Sequence, residues 1–363
     1  MDIGLFYAYQ LPDTNPSDGF EWDMQTVRWA EEYGIAEAWF AEHFAVGYER
    51  WPAPELHVTA AARETSRLKL GTAANLLPYH NPVALAYRLM ALDHITRGRL
   101  IAGFGAGAYA SDARLFGTEL ATQNREMLEE GQELIRAIWK AKGEGLKIEG
   151  KYFSVDVPPM DNPLLLGNHW TPYQEGGPRV SVPVFSPRSS TLRQAGTRGD
   201  IPISIAFSNE FLEGHWEVYS EGAASTGLVA DRRDWRVLRD VIVADTDEKA
   251  MELALSAGIR RPLDEWVIPY HMNAILASLP EGFSAEDITP EFLINAAWIV
   301  GSPETVVEKL AAEYEQCGGY GTLLVQNYDC HAEPEAFRRH LELLGTEVAP
   351  ALTERVGELS AAN

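Results

Sequence analysis

The sequence predicts a (β/α)8 TIM barrel. Three observations favour this fold: about eight apolar, β-prone segments alternate with segments of helical periodicity, the chain has 363 residues, and small residues collect where predicted strands end. Barrels of this class commonly reach such a length, so we expect one domain over residues 1–363. Two stretches, at about residues 143–179 and 262–290, break the alternation, and we interpret both as insertions at the barrel rim.

The strands follow from apolar runs that turn residues bound. We expect them over residues 2–9, 36–44, 68–76, 99–104, 180–185, 201–207, 235–244 and 319–326. Apolar residues at helical spacing predict helices over residues 23–33, 54–65, 82–96, 122–142, 189–198, 209–226, 248–260, 303–314 and 333–344. Because a helix connects most consecutive strands, the strands should run parallel.

The two insertions differ in composition. The first is rich in Pro, Gly and Asn, with a possible short strand pair near residues 147–155. The second carries Trp266, Tyr270 and Phe283 among several prolines. Aromatic side chains on an irregular segment near the barrel mouth make the second insertion a candidate lid.

The composition excludes several classes of function. A formal net charge of −23 with no basic stripe makes nucleic acid and anionic membranes poor candidate partners. No apolar run is long enough to span a bilayer, and the first residues lack the basic flank of a secretory signal, which favours the cytoplasm. Only two cysteines occur, and no HExxH, CxxC pair or EF-hand spacing is found, so we assign neither a disulfide framework nor a metal site.

Very small side chains mark the ends of predicted strands three and four. They form the runs GTAA at residues 71–74 and GFGAG at residues 103–107. Small residues would let a planar ligand lie against the chain, although the pattern alone favours plain packing inside a barrel. The second run is not a dinucleotide-binding loop, because it lacks the third glycine of GxGxxG and the acidic residue expected about 20 positions later.

Two clusters at strand ends carry chemistry. Glu42-His43 follows strand two, where an imidazole would face the barrel mouth and could accept or donate a proton; a structural histidine is the alternative. Residues 186–191 (SPRSST) lead from strand five into a helix and offer hydroxyls and N-terminal N–H groups to an anion. Arg125 could add a guanidinium. Each feature alone has an ordinary alternative: residues 186–191 could be a plain N-cap, and Arg125 could form a solvated ion pair. Together the two features indicate a phosphate site.

These residues also carry a family resemblance. The segment GTAANLLPYHNPVALAYRLMALDHITRGRLIAGFGAGAYASDARLFGTE, at residues 71–119, resembles the central segment of the bacterial luciferase-like flavin monooxygenases. Glu42-His43-Phe44 resembles the strand-two motif of the same family. The PYHNP, DARLFG, SSTLRQAG and GSPETV runs are most similar to its diketocamphane and limonene monooxygenase branch.

The resemblance implies a barrel that binds FMN, as FMNH2, at the strand ends, usually as a homodimer. His43 matches a histidine near the reaction centre of the family, and we assign it as the catalytic residue. A non-prolyl cis peptide would join Ala73 to Ala74 and lie against the flavin. The cofactor contacts implied by the match are Ala73, Ala74, Asn75, Gly105, Ala106, Arg125, Ser189, Ser190 and Thr191. The substrate would lie above the flavin near Tyr9, Trp39 and Tyr109.

The sequence also departs from the family. Bacterial luciferase has a reactive cysteine and then an arginine where this chain has Gly105 and Ala106, so light emission is not expected. The phosphate-binding set is therefore one arginine short of the luciferase pattern.

The activity that the resemblance implies is two-component oxygenation. A separate flavin reductase would supply FMNH2, O2 would form a flavin C4a-peroxide, and this would oxygenate a small hydrophobic substrate, with Baeyer-Villiger oxygenation of a ketone favoured. Three alternatives remain: deazaflavin (F420)-dependent hydride transfer, flavin binding without catalysis, and a barrel that binds a phosphorylated metabolite. The acidic chain does not show the additional Lys or Arg residues expected for the polyglutamate tail of F420.

Overall fold

The computed structural model describes residues 1–160, 167–168, 170–205, 209–279 and 282–362. Eight parallel strands form a closed barrel, and we number them β1 to β8 in chain order. They are Asp2–Tyr7, Glu37–Phe40, Lys69–Thr72, Leu100–Gly105, Arg179–Val184, Ile201–Ile205, Arg236–Arg239 and Thr322–Asn327. Each strand pairs with its neighbours in sequence order, and β1 pairs with β8 to close the ring. The (β/α)8 prediction is confirmed.

Helices connect the strands around the outside of the barrel. The α-helices are Pro16–Glu32, Pro54–Glu64, Pro82–Thr96, Ala110–Phe116, Gln123–Lys140, Ser190–Arg198, Asn209–Ser225, Asp247–Ala254, Ala257–Pro262, Ile268–Ser278, Pro290–Ala297, Pro303–Gln316, Pro334–Leu343 and Ala349–Ala362. Local sequence sets several of their starts: Asn81 and Ser302 accept from the backbone N–H groups of Ala84 and Thr305, as N-caps do. None of the described helices is both long and apolar enough to cross a bilayer.

The predicted strand over residues 235–244 is two strands. β7 ends at Arg239, and Val241–Val243 pairs with Ile299–Gly301 outside the barrel. The chain changes direction at Asp240, whose Oδ1 accepts a hydrogen bond of 2.5 Å from the Tyr328 hydroxyl. Val237 in the first half and Val241, Ile242 and Val243 in the second are all apolar and buried, so periodicity alone could not separate the two halves.

The two insertions have more regular structure than the sequence indicated. In the first, Leu146–Glu149 pairs with Ser154–Val157, which confirms the expected strand pair; residues 161–166 and 169 of this insertion lie outside the described residues. The second insertion is mostly helical, with a wide turn at Leu263–Val267 leading into Ile268–Ser278. Pro269 lies in the first turn of this helix, where its missing N–H is tolerated, so the proline does not break the segment.

The amino-terminal end of the barrel is filled by polar side chains that pair with one another. Glu37, at the start of β2, is fully buried, and Arg236, at the start of β7, donates to Glu37 Oε1 at 2.8 Å. Trp39 Nε1 donates to Glu37 Oε2 at 2.9 Å. These bonds satisfy the buried charges at this end of the barrel, and barrels of this class bind their ligands at the opposite, carboxyl-terminal end.

We predict that Gly103→Ala strongly destabilises the protein. A Cβ at this position in β4 would lie 1.8 Å from the carbonyl oxygen of Thr72 in β3, and neither backbone can move without opening the barrel. The melting temperature should fall by at least about 5 °C, as measured by calorimetry.

Gly214→Ala is the matched control, because Gly214 lies in a helix and a Cβ there has only an ordinary contact at 3.8 Å with Arg188. This variant should melt at the wild-type temperature or slightly above it. Equal melting temperatures for the two variants would contradict the prediction.

Candidate active site

A cavity of about 650 Å³ opens at the carboxyl ends of the strands. Each strand contributes to it: the residues after β1 to β5, the last residue of β6, and side chains of β7 and β8. The contributing residues include Tyr9, Ala41, His43, Ala73, Ala74, Gly105, Ala106, Tyr109, Phe185, Ile205, Leu238 and Gln326. The parallel barrel therefore brings together residues that are far apart in the sequence.

One wall of the cavity is made almost entirely of backbone and methyl groups. Ala73 and Ala74 follow β3, and the peptide bond between them is cis, as the resemblance implied. Gly105 ends β4, and a Cβ there would lie 3.3 Å from the Ala74 Cβ. No long side chain projects from these three residues, so this wall is flat enough for a planar ring.

A second part of the cavity can bind an anion. Ser189 precedes the helix Ser190–Arg198 and makes no side-chain capping bond, and Thr191 lies in the first turn of that helix. Both line the cavity together with Arg125. The Arg125 guanidinium makes no ion pair with the part of the chain that the structure describes, so it is available to an anion beside the helix N-terminus.

A buried histidine, His215, forms a hydrogen bond with the loop that carries Ser189. His215 Nε2 lies 3.0 Å from the carbonyl oxygen of Ser186, and its Nδ1 lies 3.1 Å from the Ser204 hydroxyl. Burial lowers the pKa of His215, so the ring is neutral at neutral pH and can donate to Ser186 through Nε2. This support was not found in the sequence, because Ser204 and His215 belong to different elements.

One carboxylate also reaches this end of the cavity. Glu119 lines it, and its oxygens accept from the backbone N–H groups of Ala121, Thr122 and Gln123. Those hydrogen bonds hold the pKa of Glu119 below its usual value. Because the carboxylate is occupied by local donors, it leaves Arg125 available to another anion.

His43 is held between two carboxylates. Its Nδ1 lies 3.0 Å from Asp112 Oδ2, and its Nε2 lies 3.2 Å from Glu49 Oε2. Burial raises the pKa of Asp112, but hydrogen bonds from His43 and from the N–H groups of Ala45 and Phe44 outweigh it, so this pKa is lowered. Asp112 is therefore ionised at neutral pH and accepts from Nδ1–H of His43.

Aromatic rings enclose the cavity above His43. The edge of Tyr109 meets the His43 ring at a centroid distance of 4.6 Å. Tyr270 from the second insertion packs on Tyr109 at 5.2 Å and stacks on Trp266 at 4.7 Å. The second insertion thus reaches His43 through Tyr109.

Glu42, next to His43, has a separate partner. Its carboxylate lies 2.9 Å from His80 Nε2 and accepts from the Leu76 backbone N–H. Burial raises the pKa of Glu42, against the lowering effect of His80. The pair ties the loop after β2 to the loop after β3, which fixes the position of the wall at Ala73-Ala74.

Most of the site residues expected from the sequence lie around this cavity: His43, Tyr9, Ala73, Ala74, Gly105, Ala106, Tyr109, Arg125, Ser189 and Thr191. Three are placed elsewhere. Trp39 is fully buried one layer deeper in the barrel, with its ring across Gly71. Asn75 is fully buried behind the wall, and Ser190 is exposed on the helix surface.

The structure adds Glu49, Asp112, His271 and Gln326 to the cavity and its surroundings. Asp112 lies within the DARLFG run that carried the resemblance, so a signal for it was present. Glu49 and His271 lie in segments without a motif, and only the tertiary structure identifies them.

Comparisons with known proteins agree with this geometry. The family described as luciferase-like monooxygenase matches residues 1–321. The chain is 33% identical to 3,6-diketocamphane 1,6-monooxygenase of Pseudomonas putida, over 97% of this chain and 98% of that protein. It is 32% identical to limonene 1,2-monooxygenase of Rhodococcus erythropolis, over 98% of this chain and 88% of that protein.

The fold of a solved structure agrees as well. The oxygenating constituent of 3,6-diketocamphane monooxygenase from Pseudomonas putida, a type II Baeyer-Villiger monooxygenase in complex with FMN, superposes with a TM-score of 0.89. That superposition covers 96% of this chain and 98% of the other, at 33% identity. The chain therefore belongs to the luciferase-like monooxygenase family and is an oxidoreductase of that family.

Proposed function

We propose that this protein is an FMNH2-dependent monooxygenase that uses O2 to insert oxygen next to the carbonyl group of a small hydrophobic ketone. The observation that carries the proposal is the single cavity in which a flat backbone wall, an anion-binding end and the carboxylate-held His43 occur together. A flavin needs the first two, and oxygenation of a carbonyl compound uses the third. The relatives named above support the same chemistry.

The residues fit FMN. Arg125, the hydroxyls of Ser189 and Thr191 and the helix N-terminus would hold the phosphate. The wall formed by Ala73, Ala74 and Gly105 would support the isoalloxazine ring, since larger side chains there would occupy the space beside it. Ser190 lies at the same helix terminus and can contribute only its backbone N–H, because its side chain is outside the cavity.

Bound reduced FMN supplies the electrons that activate O2. The residues of the chain bind the substrate, exclude water and place a proton. Asp112 fixes the Nδ1–H of His43, so Nε2 is the nitrogen that meets Glu49 and the cavity. Tyr109 packs on the His43 ring, and Trp266 and Tyr270 pack on Tyr109, so aromatic rings on this side of the site would limit the access of water to the reacting atoms.

The remaining cavity wall suits an apolar substrate. Phe6, Phe185, Ile205, Leu238 and Tyr270 line it, and the relatives are named for diketocamphanes and limonene. We infer a bicyclic or monocyclic terpenoid ketone as the class to test first.

Two further partners belong to the proposal. We infer a separate flavin reductase, because the sequence offers no nicotinamide-binding glycine motif. We also infer a homodimer in which the helices Pro54–Glu64 and Pro82–Thr96 pack on a second copy; both expose large apolar side chains, Leu56 at 67% and Ile95 at 45%.

We predict that the purified protein, given FMNH2 from an unrelated reductase, converts a diketocamphane to a lactone. With ¹⁸O2 the lactone should carry one labelled oxygen atom, as measured by mass spectrometry, while the second labelled atom leaves as water. If the protein binds reduced F420 and transfers hydride without consuming O2, the deazaflavin alternative replaces this proposal.

We predict that Arg125→Ala weakens FMN binding by roughly 10- to 100-fold, since one charge-assisted contact to the phosphate is lost. Riboflavin lacks the phosphate, so its affinity should be unchanged in a fluorescence titration. Arg63→Ala, at an exposed position on the helix Pro54–Glu64, is the control and should bind both flavins like the wild type. Equal loss for riboflavin and FMN would contradict a phosphate role.

We predict that His43→Ala lowers ketone turnover by about 100-fold while FMN affinity is kept, because a proton-transfer group is removed from the cavity. Single-turnover product yield and an FMN titration measure the two effects. His94→Ala is the control, since His94 is exposed and its Nε2 contacts the carbonyl oxygen of Thr171 outside the cavity. Unchanged turnover in the His43 variant would remove the catalytic assignment.

A further inference from the structure

The side chain of Glu49 contacts three separate parts of the site. Its Oε1 accepts from the Tyr109 hydroxyl at 2.8 Å and from Trp266 Nε1 at 3.3 Å, and its Oε2 lies 3.2 Å from His43 Nε2. Only 9% of this side chain is exposed. One carboxylate therefore joins the segment after β2, the segment after β4 and the helical part of the second insertion, residues 263–278, which we call the lid helix.

The backbone around Glu49 is held without the help of its side chain. His43 N donates to the carbonyl oxygen of Trp51 at 3.0 Å, and Gln10 N donates to that of Tyr48 at 2.9 Å. Arg50 donates to the carbonyl oxygen of Pro12. The loop is thus a fixed support, and a change at the Glu49 carboxylate acts on its three partners rather than on the loop.

The contact between Glu49 and His43 requires a shared proton. Asp112 occupies Nδ1–H, which leaves Nε2 facing Glu49 Oε2. Two atoms with only lone pairs would repel at 3.2 Å, so a proton on one of them makes the contact favourable. This proton lies between Glu49 and the ring nitrogen that faces the cavity, and the position of Glu49 determines where that nitrogen points.

The lid reaches His43 through Glu49 and through a stack of rings. In the first route Trp266 donates to Glu49; in the second Tyr270 packs on Tyr109, which packs on His43. Two further contacts attach the second insertion to the barrel: Arg261 pairs with Asp13, and Glu265 accepts from the Tyr48 hydroxyl. Because Asp13 and Glu265 are exposed, these contacts should stabilise the insertion less than a buried contact does. The part-buried hydrogen bond from Trp266 to Glu49 is the polar contact by which the second insertion reaches the carboxylate beside His43.

We propose that Glu49 is a positioning residue that couples closure of the lid helix to the orientation of His43. This inference rests on the proposed function for its role in turnover. With the lid closed, Trp266 and Tyr109 fix the carboxylate, and the carboxylate fixes the Nε2 side of the imidazole. When the lid opens to admit substrate, Glu49 loses one donor and His43 loses its second fixed contact.

The first test measures hydrogen exchange of the amides in residues 263–278 by mass spectrometry, on the full chain without flavin. Glu49→Ala should raise their exchange rates by about fivefold, the effect of losing one net hydrogen bond. Glu49→Gln keeps an acceptor for Trp266 and Tyr109 and an N–H donor for a neutral His43, so it should restore the wild-type rates. Glu144→Ala, at an exposed glutamate, is the control for loss of a carboxylate.

The second test observes His43 directly. In protein labelled with ¹⁵N-histidine, Trp266→Phe should shift the His43 ring resonance, because the indole N–H that this change removes reaches His43 through Glu49. The phenylalanine keeps an aromatic ring against Tyr270 and removes the indole N–H together with part of the indole ring, and the Glu49→Ala background separates the two effects. In the Glu49→Gln background the shift should persist, and in the Glu49→Ala background it should vanish.

The proposal is overturned if Glu49→Ala exchanges like the wild type, if Glu49→Gln exchanges like Glu49→Ala, or if Trp266→Phe shifts His43 equally without Glu49. Should Glu49→Ala not fold, Trp266→Phe in the wild-type background decides alone, since an unmoved His43 resonance contradicts the coupling. Neither measurement needs flavin or ketone. A protein that fails to oxygenate ketones would therefore refute the proposed function and leave this result intact.

Discussion

Backbone pairing between β1 and β8 closes the barrel, and the active-site cavity depends on that closure. In this pairing Asp2 lies opposite Thr322 and Tyr7 lies opposite Asn327. The two strands are the first and the last of the barrel in chain order. Because all eight strands are parallel, closure places every carboxyl end at one mouth. The buried Glu37–Arg236 pair occupies the other end of the barrel.

The proposed anion site lies within an acidic chain, and the carboxylates near it are occupied by other partners. Near the cavity Glu119 accepts from local N–H groups, Glu42 pairs with His80, and Asp112 accepts from three donors. The Arg125 guanidinium and the N-terminus of the helix Ser190–Arg198 remain directed at the cavity. Local charge placement, rather than the net charge of −23, thus decides what this site can bind.

His43 illustrates how a common side chain becomes specific to one task. An imidazole at a strand end can be structural or chemical, and its neighbours decide which. Here Asp112 fixes one nitrogen, Glu49 meets the other, and Tyr109 limits ring rotation. The donors to Glu49 come from residues 60 and 217 positions away in sequence, so the lid and the histidine are coupled only in the folded chain.

The sequence by itself determined the alternation of strands and helices, and with it the barrel, because periodicity and helix-capping residues act over a few positions. It also pointed to His43, Ser189 and the wall at Ala73-Ala74, which follow strand ends, and to Arg125 near the start of a helix, since all of them match a family pattern. It could not show that Trp39, Asn75 and Ser190 lie outside the cavity lining. A side chain leaves the lining when it lies one layer deeper in the barrel or one position further around a helix, and local sequence does not resolve either difference. Nor could it find Glu49 or the helical form of the second insertion. Those depend on contacts between distant segments, which form only when the barrel closes and packing selects one arrangement among many that local sequence allows.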